Sequence, residues 1–312
     1  MFVLTREMSP AGRLPDFLGI GVVRGGTTWL WENLRFHPEI WLSPVKEIDY
    51  FNRIFPIIKQ DSVERPALFS EKLKHFRFSR LTRYLRRFSW ENARWQYRFY
   101  RGEPTPEWYC SLFEPAGQRI AGDITPHYSA LNGEAVRHVA AFLPEVKVVL
   151  ILRDPVARDW SHAVHFLTQY GRRSLAGVTE SDFRHHFQDP SARLRGNYPR
   201  MLTLWRDHIP PERFFLAFFD DIVRQPDRLM LDIYGFLGVT ADESYLPPKL
   251  RQVINPSTKS KIPPVMHRYL AELNLPQLEW LAAELGGHAE TWLASARAQL
   301  ATDQSPRSSQ GE

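Results

Sequence analysis

The stretch GVVRGGTTWL, Gly21 to Leu30, follows the apolar run Phe17-Leu18-Gly19-Ile20 and sets a glycine pair before two threonines. Where a strand turns into a helix, such a loop offers backbone N–H groups, hydroxyls and a helix N-terminus to an oxyanion. Gly21 and Gly26 are spaced as in G-x-x-x-x-G-K-[ST], yet Thr27 stands where that pattern has lysine. Without the lysine that reaches β/γ-phosphates, a nucleoside triphosphatase or kinase is disfavoured. Arg24 brings the loop's positive charge from a different position. A glycine turn that merely joins strand to helix is the bland alternative.

Two further segments carry residue types suited to anion chemistry. VKEIDYFNR, Val45 to Arg53, holds the Lys46-Glu47 pair. A carboxylate there is able to take a proton from a hydroxyl within hydrogen-bond reach, or to form a surface ion pair with Lys46 or Arg53. In VVLILRDPVARDWSHAVHF a strand ends in Arg153, Asp154-Pro155 opens a helix, and Ser161 lies eight residues beyond Arg153. An arginine at a strand's carboxyl end and a serine on the next helix can meet on one phosphate, at the edge where open α/β sheets bind ligands. The alternatives are an ion pair of Arg153 with Asp154 or Asp159, and a Ser161 hydroxyl bonded to its own helix backbone.

These residues need a scaffold of alternating elements. Phe17–Val23, Arg119–Asp123, Lys147–Arg153 and Arg213–Phe219 read as buried strands. Helices are predicted over Thr28–Phe36, Gly133–Leu143, Pro155–Tyr170, Tyr198–Asp207 and Pro226–Leu237. Strands alternating with helices imply a mainly parallel sheet covered on both faces, an α/β fold of three layers.

Taken together, the three segments resemble the sulfotransferases that use 3′-phosphoadenosine 5′-phosphosulfate (PAPS), above all the branch with heparan sulfate sulfotransferases and many bacterial enzymes. The resemblance runs from about Phe17 to Leu285 and includes GDITPHYS, GNYPRMLTLW and the late FFDDIVRQPDRLMLDIYGFLGV. It implies a P-loop-like fold with PAPS as donor, PAP as product and no metal. By resemblance, Arg24, Gly25, Gly26, Thr27 and Thr28 bind the 5′-phosphosulfate, and Arg153 and Ser161 the 3′-phosphate. Glu47, followed by Phe51, matches the general base of the glycan-sulfating relatives. Asp123, Thr125, Pro126 and Tyr128 match a Glu/Asp-x-T-P-x-Y segment; with them, His127 falls on the acceptor side. Relatives commonly carry lysine where Arg24 stands. Arginine keeps its proton but neutralises charge and grips two oxygens, so Arg24 is expected to stabilise charge, with Lys46 a candidate proton donor to the leaving group.

The wider composition is consistent with this. The chain has 312 residues, 43% of them hydrophobic, and a net charge of +5, which suits an anionic ligand without demanding nucleic acid. Cys110 is the sole cysteine, which excludes an internal disulfide and a cysteine metal cluster. With neither a signal-peptide core nor a run of ~18 apolar residues, a cytoplasmic protein without a membrane span is expected. One domain over 1–312 is expected, with an Arg/aromatic-rich insertion at about 53–117 and a disordered tail at 301–312. Within that insertion, Phe76 to Arg101 interleaves eight arginines with nine aromatics. Such a pattern suits single-stranded nucleic acid, an anionic or carrier-bound acceptor, or an amphipathic helix burying Leu81, Tyr84, Leu85 and Phe88. The expected activity is sulfuryl transfer to a hydroxyl or amine of a glycan, polyketide, lipid or small molecule, with no nucleic-acid partner. A nucleotide kinase or other phosphate-loop transferase and an Arg-rich nucleic-acid binder are the competing readings.

Overall fold

In the computed structural model, which describes residues 12–56, 90–171, 174–252 and 261–301, five parallel strands form one sheet in the order β2-β3-β1-β4-β5. They are β1 (Phe17–Gly21), β2 (Ile40–Leu42), β3 (Ile120–Ile124), β4 (Lys147–Leu152) and β5 (Phe214–Phe218). Leu18, Ile20, Val148, Leu150 and Leu152 pack into one buried cluster, whereas Phe17, Val149 and Ile151 pack into another. That alternation is the two-residue period of a strand, and it makes the sheet the middle of three layers.

The helices are α1 (Thr27–Leu34), α2 (Tyr50–Ile54), α3 (Trp90–Arg101), α4 (Pro106–Ser111), α5 (Gly133–Phe142), α6 (Pro155–His165), α7 (Glu180–Gln188), α8 (Pro190–Gly196), α9 (Tyr198–Arg206), α10 (Phe219–Arg224), α11 (Pro226–Leu237), α12 (Pro264–Leu285) and α13 (His288–Ala301). Residues of α1 and α11 fill one core, and residues of α5, α6, α9, α12 and α13 the other. Asp154 caps α6, its side chain accepting from the Val156 N–H at 3.1 Å, and Pro155 follows at the first helical position.

Several boundaries differ from the sequence reading. The helix expected over Pro155–Tyr170 is regular only to His165, then continues as a single π turn to Tyr170. β1 stops at Gly21, although the Val22 N–H still donates to the Ile151 carbonyl of β4 at 3.0 Å. β2 was not expected, because a three-residue edge strand is too short to show a period. In the region read as an insertion, Trp95, Phe99, Trp108, Tyr109 and Phe113 are buried in the core cluster that also holds Leu18 and Ile20. That end of the segment therefore belongs to the core: Tyr50 stacks on Tyr109 with ring centres 4.3 Å apart. The amphipathic helix expected around Leu81 to Phe88 and the tail beyond Ala301 lie outside the described residues.

Candidate active site

The loop after β1 emerges between β3 and β4, so the carboxyl ends of three neighbouring strands supply the site. Gly26 precedes α1 in the left-handed region (φ 101°), where a Cβ would also lie 2.5 Å from Ile222 Cδ1. No side chain caps α1, which leaves its first N–H groups for a ligand. Arg24 also has a left-handed φ, 67°. Its Nε donates to Ser161 Oγ at 3.0 Å, and its carbonyl accepts from Arg153 Nη1 at 3.0 Å. Arg153 in turn lies over the Phe219 ring at 4.6 Å, and its carbonyl accepts from Tyr198 Oη at 3.0 Å. Arg24 thus links the loop to both Ser161 and Arg153. Burial lowers the Arg24 pKa, and the Arg153 charge lowers it further. Two half-buried guanidiniums in mutual repulsion favour an anion beside them.

Lys46 supplies the ammonium that the loop itself lacks. Its Nζ donates to Thr27 Oγ1 at 3.1 Å, to Thr28 Oγ1 at 3.3 Å and to Glu47 Oε1 at 3.2 Å. The ion pair considered as the bland alternative for Glu47 thus exists, and it sits on the loop rather than on open surface. Glu47 and Asp49 both have left-handed φ, 66° and 59°. Such residues cost of order 1–3 kcal/mol each and persist where the surroundings hold them. The next two side chains do the holding: Tyr50 and Phe51 are fully buried, each contributing about 1.5–3 kcal/mol of apolar burial.

Asp49 lies 3.3 Å from His127 Nδ1 through its Oδ1, which also accepts from Asn52 Nδ2 at 3.0 Å. Glu47, Asp49 and His127 carry ligand-type atoms all within 4.8 Å of one another. Beneath them, Asp123, Thr125 and Tyr128 are fully buried. Tyr109 and Tyr128 hydroxyls donate to Asp123 Oδ2 at 3.0 and 2.8 Å, and Thr125 donates to Oδ1 at 2.7 Å. Burial pushes the Asp123 pKa up to about 6, against the lowering effect of those three hydrogen bonds. Of Asp123, Thr125, His127 and Tyr128, only His127 reaches solvent. The other three form the floor, and the Asp49 N–H donates to Thr125 Oγ1 at 3.4 Å.

A model of the sulfotransferase family matches residues 15–243, an interval that contains the candidate site residues named above. The chain belongs to the sulfotransferase family. The kinase reading falls with that membership. Among curated members, the chain is 30% identical over 172 residues to the membrane-associated sulfotransferase kil1 of Dictyostelium discoideum, covering 55% of this chain and 27% of that protein. It is 24% identical over 232 residues to heparan sulfate glucosamine 3-O-sulfotransferase 6 of Homo sapiens, covering 73% and 53% respectively. The chain thus spans about half or less of these relatives. The sulfotransferase of Alicyclobacillus acidocaldarius shares the fold with a TM-score of 0.58 at 21% identity, over 89% of this chain and 98% of that one. The sulfotransferase domain of the Synechococcus PCC 7002 olefin synthase does so with a TM-score of 0.50 at 18% identity, over 92% and 95%. No described helix is long and apolar enough to cross a membrane.

Within this sulfotransferase fold, Arg24, Thr27, Thr28, Lys46, Glu47, Arg153 and Ser161 converge on the N-terminus of α1 and the ends of β1 and β4. Sequence reasoning missed Asp49 and Phe219. Nothing in residue type marked Asp49, since a carboxylate two positions after Glu47 has no meaning until the backbone turns. His37 is 1% exposed, and its Nε2 meets the Thr240 carbonyl at 3.0 Å.

Proposed function

We propose that the chain transfers a sulfuryl group from PAPS to a hydroxyl or amine of an acceptor. The observation that carries this reading is the junction of Arg24 with Ser161 and Arg153 at an uncapped helix N-terminus, with Lys46 set against Thr27 and Thr28. In this reading the N–H groups of Gly25 to Thr28 and the Arg24 guanidinium receive the 5′-phosphosulfate, and Arg153 and Ser161 receive the 3′-phosphate.

The reaction passes an SO₃-like group in line between two oxygens, so positioning and charge stabilisation supply most of the catalysis, by analogy with phosphoryl transfer. Glu47 takes the acceptor proton. Lys46, between the loop hydroxyls and Glu47, is placed to give a proton or a charge to the departing phosphate, and Arg24 neutralises the charge that develops there. No step calls for a metal ion.

Incubation with PAPS labelled in the sulfuryl group and a panel of glycan, phenol, alcohol and amine acceptors tests the reading. Label is expected to move to an acceptor in buffer containing a chelator. Failure to bind PAP, together with ATP-dependent labelling in the presence of Mg²⁺, would overturn it.

A further inference from the structure

Three non-glycine residues in the described chain adopt left-handed φ: Arg24, Glu47 and Asp49. The first two already have parts in the proposed reaction, and Asp49 has none. Strain of this kind gathers where a side chain must be aimed, and the Asp49 side chain is aimed at an imidazole. Its Oδ1 lies 3.3 Å from His127 Nδ1, while Asn52 Nδ2 on the same oxygen and Thr125 Oγ1 on the Asp49 N–H hold the carboxylate in place. The His127 side chain is 37% exposed, against 21% for Asp49. The imidazole is thus fixed from below by one nitrogen and open to the acceptor side.

We propose that His127 is the cation of the acceptor side, held by the positioning residue Asp49 so that it contacts the acceptor oxygen or the transferring sulfuryl oxygens beside Glu47. The proposal rests on the sulfuryl-transfer reading above. The bond from sulfur to the acceptor oxygen forms as the bond from sulfur to the PAP phosphate oxygen breaks. The acceptor proton goes to Glu47, and His127 keeps its own proton throughout. A fixed positive charge at that point stabilises negative charge on the sulfuryl oxygens without competing with Glu47 for the proton. It also offsets the repulsion between the Glu47 and Asp49 carboxylates, whose oxygens lie within 4.8 Å of one another and of an imidazole nitrogen.

The groups that set the charge of His127 come from each neighbouring element. Burial favours the neutral ring, but the hydrogen bond and charge of Asp49, and then Glu47, outweigh it and raise the His127 pKa above its ordinary value. Arg195 on α8 opposes them. His162 on α6, which feels the His127 charge, is held well below its ordinary value by burial and by Arg158 and is neutral beside it. The activity is therefore expected to fall as pH rises through the His127 titration. Removing the Asp49 charge moves that fall to lower pH.

Two measurements test this on the full chain. The first is NMR titration of the histidine rings in the parent and in Asp49→Asn, with the His127 signal identified by its loss in His127→Asn. The His127 midpoint is expected above that of free imidazole and lower in Asp49→Asn; an unmoved midpoint overturns the pairing. The second is single-turnover consumption of labelled PAPS against pH, with water as the probe acceptor. The parent is expected to show an alkaline loss, and His127→Lys to keep its rate past that point. His127→Asn is expected to be slower by about 10²-fold on the low-pH side, the scale of a lost charge-stabilising donor. An alkaline loss that persists unchanged in His127→Asn overturns the role. If the parent neither binds PAP nor consumes PAPS, the sulfuryl-transfer reading fails instead, and the titration still reports on the Asp49–His127 pair.

Discussion

Arg24 Nε and Ser161 Oγ are joined by a 3.0 Å hydrogen bond across 137 positions of sequence. It ties the loop after β1 to α6 and orients the Arg24 guanidinium. With the Arg153 bond to the Arg24 carbonyl, it makes the two halves of the proposed donor site one unit.

That unit predicts a specific ligand preference. PAP is expected to raise the melting temperature in the absence of divalent metal, because a ligand that binds only the native state stabilises it. Arg153→Ala is expected to weaken PAP far more than 5′-AMP, measured by calorimetry. Ser161→Ala is expected to weaken PAP and to slow turnover, since it also releases Arg24. Equal affinity for PAP and 5′-AMP in the parent would remove the 3′-phosphate assignment.

Glu47→Gln keeps the side-chain shape but cannot accept the hydroxyl proton. Turnover is expected to fall by about 10²-fold or more, with PAP affinity nearly unchanged. The Lys46 contacts make the second half of this prediction informative. Lys46 also bonds Thr27 and Thr28, so a large loss of PAP affinity would show that Glu47 acts chiefly by holding Lys46 on the loop.

Arg24→Ala and Arg24→Lys separate charge from geometry. Alanine removes both, and turnover is expected to fall more than donor affinity if the guanidinium acts mainly in the transition state. Lysine retains the charge but has one nitrogen with which to meet both Ser161 and the donor. Its single-turnover rate at saturating PAPS is expected to lie between those of the parent and the alanine variant. A rate for Arg24→Ala equal to that of the parent would shift leaving-group assistance to Lys46.

Asp123 predicts the pH dependence of stability. Its pKa rises from 3.8 to about 6 on folding, chiefly through burial. Between those values the folded chain holds a proton that the unfolded chain has lost, so this group makes stability fall as pH rises through the window. Asp154, also raised to about 6 by burial, acts in the same direction. Urea unfolding at pH 4.5 and pH 7 is expected to show a smaller difference for Asp123→Asn than for the parent. The variant should also be less stable overall by about 1–3 kcal/mol, because an amide NH₂ then faces a hydroxyl donor. An unchanged pH difference would show that Asp123 does not titrate in this range.

Much of this molecule was legible in the order of its residues. Strands, helices and the loop have local signals: apolar periods of two or 3.6, Gly25-Gly26 ahead of Thr27, and Asp154-Pro155 at the mouth of α6. From those the parallel sheet and its two covered faces follow, with an anion-binding end of β1 as an expectation. Pairwise meeting was not legible, because it depends on which strands become neighbours and on single backbone angles. β4 pairs with β1 directly, and this brings Ser161 to Arg24. The left-handed angles at Glu47 and Asp49 bring two carboxylates and Lys46 to one place. They are held there by the burial of Tyr50 and Phe51 against Tyr109, which belongs to the segment whose sequence reads as an Arg/aromatic-rich insertion. Residue types alone determined what chemistry was available. The packing of β3, β1 and β4 side by side, with aromatic burial to offset the backbone strain, decided which of those residues share a site, and that Asp49 and His127 belong to it.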